Sequence, residues 1–277
     1  MTDWEKRIEA WEKEGRGEGR GPSWKPWITA TEAPTGGRRH RPYSEKFGRE
    51  LHLLSDGEYR VFLLAERAAW VREAREQVPI PRELSEAVAK GLGIPHPHYP
   101  GSHVATVMTF DLVAEGTKSG KHKKIVFDTK VIDSTQEKRS LEKLQIAKEC
   151  ARQMGHEYVL VLKDHIPQAV IRNLEWIRSG VPRSLEQTPY PDYWTDQCDS
   201  LYAHLDNRGC SRSSLNTECR RYSEGMDIPI SHALRAAKIL LYRRRLEVDV
   251  TLSKLHEQPM SKFRLTDMRD QQRRGAA

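Results

Sequence analysis

The stretch that most limits what this chain can fold into is Val107 to Ile132, VMTFDLVAEGTKSGKHKKIVFDTKVI. Two runs rich in β-branched and aromatic residues flank a polar Gly/Lys segment, Thr117 to Lys124, the pattern of an antiparallel β-hairpin. Side chains alternate along a strand, so Val126, Asp128 and Lys130 are expected on one face and Ile125, Phe127 and Thr129 on the other. An acid and a lysine then share a face, which is unfavourable in a buried strand unless the charges are paired or bind a metal. Asp111 on the first run can supply a second carboxylate. Two carboxylates so placed suit a hard divalent cation such as Mg²⁺, which takes oxygen ligands and keeps waters for a substrate phosphate. The lysine can orient an attacking water or stabilise negative charge growing on the phosphate. This is phosphodiester hydrolysis chemistry. An isolated D-x-K is more often an ordinary pair on a solvated face, so the surrounding elements have to decide.

Upstream, Ser55 or Asp56 can cap a helix in which Tyr59, Phe62, Leu63 and Glu66 fall at helical spacing. Glu58 sits in its first turn, where an acid ordinarily does no more than favour the helix dipole. VREAREQVPI reads as a strand running into Pro79 and Pro81, followed by a short helix from Arg82 to Gly91. Downstream, Leu141, Leu144, Ala147, Ala151 and Met154 make the apolar stripe of a helix ended by Gly155. Tyr158 to Leu162 is a continuous apolar run typical of a strand covered on both faces. Helix, three strands, helix and a parallel strand reached by crossover form the αβββαβ, mixed-sheet core of the restriction-endonuclease-like α/β fold. In that fold an acid of the second strand, a carboxylate-x-Lys of the third and an acid of an early helix meet at a metal site.

The flanks differ from this core. Met1 to Glu14 reads as a charged helix with Trp4, Ile8 and Trp11 at helical spacing. Glycine and proline then forbid regular structure, and Arg16, Arg20, Arg38, Arg39 and Arg41 add charge. Residues 1–48 are therefore expected to form an extended basic arm that tracks DNA or docks a partner, or else lies over its own domain with Trp24 and Trp27 packed there. Residues 49–180 form the expected catalytic domain, with a break near Gly180 after a closing helix. Residues 181–277 predict helices at Thr195–Leu205, Ser213–Tyr222 and Pro229–Tyr242, a strand in RRRLEVDVTLSK and a second at Lys262–Leu265, the succession of a winged-helix-like domain. Arg243, Arg244 and Arg245 could touch phosphates, and the basic tail Arg269–Ala277 could act as an interaction peptide. His96, His98 and His103 lack the partners of a zinc site and read as a loop. Cys198, Cys210 and Cys219, with His204, lack a C-x-x-C pair and read as free thiols.

Lys and Arg number 46 against 39 acids, a formal charge of +7 over 277 residues, which favours a polyanionic partner, nucleic acid first. Four cysteines, no signal-like segment near Met1 and no long apolar run point to a reducing, cytoplasmic setting without a membrane span.

Several distinctive runs occur in one order from Gly15 to Ile177: GRGEGRG, PWITATEAPTGGRRHRPYS, HLLSDGEYRVFL, REQVPI, the Asp111 strand, DTK, RSLEKLQIAKE and NLEWI. In these the chain resembles the TnsA endonuclease subunit of heteromeric bacterial transposases. The resemblance implies an endonuclease that nicks the 5′ ends of a transposon beside a TnsB-type DDE transposase, which cuts and joins the 3′ ends. It also implies a TnsC-type AAA+ ATPase regulator as partner, transposon-end DNA as substrate, and a bacterial, DNA-associated setting. Residue by residue, Glu58 in LSDGE matches the first-helix acid, Asp111 in TFDLV the second-strand aspartate and Lys130 in DTK the strand-three lysine. Asp128 stands where an amide occurs in the family, a departure toward ordinary restriction enzymes. Glu58, Asp111 and Asp128 are thereby expected to hold one or two Mg²⁺ ions, with Mn²⁺ as a substitute, while Lys130 places the water. Glu142 is a solvent-facing or supporting acid. Two other readings compete: a stand-alone restriction-type nuclease or junction resolvase, and a non-catalytic DNA-binding scaffold.

Overall fold

A computed structural model describes residues 2–33, 37–131, 137–182, 186–209 and 211–266. The chain divides into two compact units, one running to Ile166 and the other starting at Pro167.

The first unit is built on a four-stranded sheet in the order β3-β4-β5-β6, comprising Val71–Pro79, Thr109–Lys118, Lys121–Lys130 and Glu157–Leu162. The first three are antiparallel neighbours, while β5 and β6 run parallel. Helix α4, Lys138–Gln153, makes the crossover that a parallel pair requires. The sheet is thus mixed, with the expected order of elements plus one helix, α3 (Arg82–Leu92), between its first two strands. The hairpin turn is tighter than the polar composition suggested. Only Ser119 and Gly120 lie outside the strands, both at positive φ (52° and 71°), as a two-residue type I′ connection requires. Lys121 to Lys124 continue the strand, since alternation tolerates polar residues on a half-solvated strand.

Helix α2, Asp56–Arg67, starts at Ser55, whose hydroxyl accepts the Glu58 amide. It buries Val61, Phe62, Leu63 and Ala65 against all four strands of the sheet. Val126 instead joins Ile146, Ala147, Cys150 and Ala151 of α4 in a separate apolar cluster. Gly57 of α2 abuts Thr129, so α2 and α4 cover opposite faces by the strand's two-residue period. Strand β6 lies at the sheet edge and is not covered on both faces as its apolar run predicts, and Leu160 is 38% exposed.

The arm is part of this unit. Helix α1, Asp3–Lys13, packs Ile8 with Trp27, Val104 and Val107. Trp24 is buried, and its indole N–H donates to the Glu76 carbonyl of β3 (3.1 Å). Between them runs β1 (Tyr43–Ser44) paired with β2 (Arg49–Glu50). Of the two readings of the tryptophans, packing on their own domain describes what they do here. Arg49 is buried with Glu76, joined by two hydrogen bonds of 2.9 and 2.6 Å.

The second unit holds α5 (Gln168–Arg178), α6 (Tyr193–Arg208), α7 (Leu215–Met226), α8 (Ile230–Tyr242) and a ribbon of β7 (Leu246–Val248) with β8 (Phe263–Leu265). Its core gathers Ile177, Leu201, Leu205, Leu215, Ala233, Ala237, Leu240 and Leu246. Helix α5 belongs to this unit, so the boundary falls well before Gly180. The reason is packing: Ile177 enters the core, the Gly180 carbonyl accepts Arg235 of α8 (3.0 Å), and Asn173 binds two carbonyls beyond β7, of Val250 and Leu252. The tail 269–277 and Cys210 lie outside the described residues.

Arg49→Met should strand the Glu76 carboxylate without its partner, and removing one member of a buried pair costs about 3–5 kcal/mol. Urea denaturation followed by tryptophan fluorescence is expected to show a loss of that size, where a surface pair would give less than about 1 kcal/mol.

Candidate active site

The β4–β5 ladder ends at Leu112 and Phe127, and the next pair in register is Asp111 and Asp128. There the backbone bonds give way to side chains. The Asp111 amide donates to Asp128 Oδ1 (3.0 Å), while the Thr129 amide donates to Asp111 Oδ2 (2.7 Å), joined by the Thr129 hydroxyl (3.1 Å). Gly57 lets the N-terminal turn of α2 approach this point, since a Cβ there would stand 2.9 Å from Thr129 Oγ1. Glu58, one residue on, is 4% exposed. Its carboxylate accepts the Leu54 amide (2.9 Å), the Ser55 hydroxyl (3.0 Å) and the Gln77 side-chain amide (3.2 Å). Asp128 is also buried, and its second oxygen accepts the Tyr158 hydroxyl (2.8 Å).

The electrostatics show which groups feel one another. Burial, then the charge of Asp111, pushes Glu58 up to about 8. Burial, then Asp111, pushes Asp128 up to about 7, against the pull of Lys130. Asp111 itself is raised by burial and held back by Lys130 and the Thr129 bonds. Asp111 is therefore the hub through which Glu58, Asp128 and Lys130 interact. Raised carboxylate pKa values at one strand end mark a site where negative charge is under-compensated, as at catalytic centres.

Glu58, Asp111, Asp128 and Lys130 thus lie near enough for their charges to act on one another. Among the described residues no three His, Cys, Asp or Glu side chains form a ready ligand cluster, so Glu58, Asp111 and Asp128 do not make a preformed triad. Asp128 has both oxygens engaged, by the Asp111 amide and by Tyr158. Glu58 has both oxygens engaged as well, Oε2 by the Leu54 and Gln77 amides and Oε1 by the Ser55 hydroxyl, while Asp111 accepts from Thr129 through Oδ2; Glu58 and Asp111 remain two mutually repelling acids beside the Lys130 charge. Gln77 and Tyr158 escaped the sequence reading. Both hydrogen-bond a predicted acid, and nothing in local periodicity marks them.

The basic side chains are mostly committed elsewhere. Arg39 donates to the Ala30 carbonyl (2.8 Å) and Arg41 pairs with Glu50 (2.6 Å). Arg244 pairs with Glu247 (2.6 Å), and Arg245 pairs with Asp199. Arg38 and Arg243 are exposed. Glu142 holds Arg139 (2.9 Å) at the start of α4. His96 bonds Ser85 and the Pro97 carbonyl, as befits a loop residue. Cys198 and Cys219 are buried free thiols. No described helix is long and apolar enough to cross a membrane.

Parts of the chain are similar to known proteins. Residues 165–250 match the family described as TnsA endonuclease C terminal. The chain is also 37% identical over 167 residues to the Escherichia coli protein named Transposon Tn7 transposition protein TnsA. That alignment covers 60% of this chain and 60% of the relative. The chain thus spans less than two thirds of that relative's length, and the family match lies almost wholly in this chain's second unit.

Because the folded pKa values of Glu58 and Asp128 are raised, the native state holds protons that the unfolded chain releases near pH 4. Stability from these acids is present at low pH and is lost as pH rises toward about 8 and 7 respectively. Without divalent ions, Glu58→Gln is expected to gain stability relative to the parent between pH 5 and 8.5, read as the difference in melting temperature. A difference that stays flat across that range would contradict the assignment.

Proposed function

We propose that this chain is the 5′-strand nicking subunit of a Tn7-type transposition system, a metal-dependent endodeoxyribonuclease working on transposon ends. The observation that carries the reading is the meeting of Glu58, Asp111 and Lys130, from a helix and two strands far apart in sequence, where Asp111 feels both other charges. The first unit is read as a restriction-endonuclease-like domain because its α2, β3, β4, β5, α4 and β6 follow that order, with α3 as an insertion. The second unit is read as winged-helix-like from three helices followed by an antiparallel ribbon.

Glu58 and Asp111 would hold Mg²⁺, or Mn²⁺ in its place, as one ion or the first of two. The ion, when bound, neutralises charge on the scissile phosphate and lowers the pKa of a coordinated water. Lys130 orients the water and offsets charge developing on the phosphate. The Thr129 amide and hydroxyl fix the Asp111 carboxylate against the sheet end. Asp128 acts through its bond to the Asp111 amide, and would become a ligand only by leaving Tyr158. Its carboxylate stands where the family carries an amide, and an amide oxygen could accept the same N–H.

The partners follow from the same reading: transposon-end DNA, a TnsB-type DDE transposase for the 3′ strands, and a TnsC-type AAA+ ATPase. The second unit would serve as a platform for protein and DNA. Arg38, exposed on the first unit, is the better candidate for phosphate contact, since Arg39, Arg41, Arg244 and Arg245 each have an internal partner to give up.

In a purified reaction with the partner transposase, end DNA and Mg²⁺, Asp111→Ala and Lys130→Ala should each lower 5′ nicking by roughly 10³-fold or more, the scale of losing a main electrostatic stabiliser. Circular dichroism should show the fold retained. Asp128→Asn should keep measurable nicking. An Asp111→Ala protein that still nicks would exclude the proposed site.

A further inference from the structure

Gln77 is buried inside β3 with φ +48°, the single described non-glycine residue within a strand at positive φ. A left-handed backbone is unfavourable for a side chain of this kind, and glycine would take it at no steric cost. The β3–β4 ladder pairs Glu76 with Leu112 and Val78 with Phe110, and omits Gln77, which stands opposite Asp111. Strand β3 therefore gives up a regular rung at the row that carries the candidate acid. The distortion redirects the side chain. The Gln77 amide nitrogen donates to Glu58 Oε2 (3.2 Å), and its oxygen accepts the Thr109 hydroxyl (2.9 Å). An ionised Glu58 carboxylate can only accept, which turns the amide NH₂ toward it and leaves the amide oxygen to take the Thr109 hydroxyl proton.

The backbone around Gln77 is tied from outside the sheet. Trp27 donates its amide to the Gln77 carbonyl (3.1 Å), and Trp24 donates its indole N–H to the neighbouring Glu76 carbonyl (3.1 Å). Glu76 in turn is fixed by buried Arg49 and by the His52 amide (2.9 Å). The N-terminal arm thus holds the strained turn of β3 in place.

We propose that Gln77 is a positioning residue for strand nicking: held by Thr109 and by the tryptophans of the arm, it fixes the Glu58 carboxylate in its place beside Asp111. A backbone bulge alone would be served by glycine, so the side chain is what the strain sustains. The arm is then a supporting wall of the active site as well as a cover for β3. This rests on the reading of Glu58 as a catalytic acid.

The test uses the full-length protein with its partner transposase, duplex end DNA and Mg²⁺, comparing Gln77→Gly, Thr109→Val and Glu58→Gln. Gln77→Gly suits the backbone and removes the whole side chain, the relief of the left-handed strain offsetting the small cavity left behind. It should melt no lower than the parent and bind end DNA with unchanged affinity. Its nicking rate at saturating DNA should fall roughly 10- to 100-fold, the scale of one hydrogen bond to a charged group. Thr109→Val, which frees the amide to turn, should fall in the same direction by several-fold with KM unchanged. If Gln77→Gly fails to fold, Thr109→Val and the isosteric Gln77→Glu decide, the latter expected to lose more than Thr109→Val by replacing the donor with an acceptor. Variants nicking at the parent rate beside an inactive Glu58→Gln would overturn the role of Gln77 alone. A fall in rate matched by equal losses of melting temperature and DNA affinity would reduce Gln77 to a structural residue and overturn it too. An active Glu58→Gln would overturn the function proposed above instead.

Discussion

Everything at the candidate site depends on how β4 and β5 part company. Up to Leu112 and Phe127 they are joined by backbone bonds. At the next step Asp111 and Asp128 exchange a side-chain oxygen for a main-chain carbonyl, each serving the other strand's neighbouring amide. The substitution keeps the strand ends satisfied, as buried backbone groups must be. It also leaves Asp128 buried and Asp111 half-buried beside it, so that the charged form of each is disfavoured. A sheet that had simply frayed would have solvated both acids and removed the tension.

That tension is shared with α2. Glu58 reaches Asp111 because Gly57 removes the Cβ that would hold the helix off Thr129, and because Ser55 starts the helix one turn earlier. The acid is surrounded by donors from Leu54, Ser55 and Gln77 that orient it without neutralising it. Lys130 supplies the nearby positive charge that acts on Asp111. Chemistry that needs negative oxygen atoms around a cation would find them here, and the mutual repulsion of Glu58 and Asp111 is what a divalent ion would relieve.

The elements that position the site were legible where they follow a simple period. The hairpin, the α2 helix with its Ser55 cap, the Leu144, Ala147 and Ala151 face of α4 and the succession of C-terminal helices and strands could be read from apolar periodicity and caps, although Leu141, expected on the α4 stripe, is exposed and Ile146 and Cys150 are buried instead. The pieces that escaped depend on distant contacts. Alternation correctly separates Asp128 from Thr129, yet it cannot say that Tyr158, thirty positions on, will occupy an oxygen of Asp128. Gln77 sits in a run that reads as an ordinary strand, and only the bonds from Trp24 and Trp27 make its turned backbone tolerable. The arm looked extended because glycine and proline break helices and strands, but aromatic residues gave it apolar surface to bury. Near Gly180 composition shifts visibly, whereas the chain divides into compact units at Pro167, because Ile177 and Asn173 pack within the second unit in a way no local pattern announces.

We propose that Glu58 and Asp111 together, beside Lys130, form a cation site. The direct test is anomalous diffraction from crystals of the full chain grown with Mn²⁺ and end DNA. A manganese peak coordinated by both the Glu58 and Asp111 carboxylates is expected, with Asp128 still bonded to Tyr158. A fully occupied peak held elsewhere, or Glu58 turned away from a metal at Asp111 and Asp128, would contradict it.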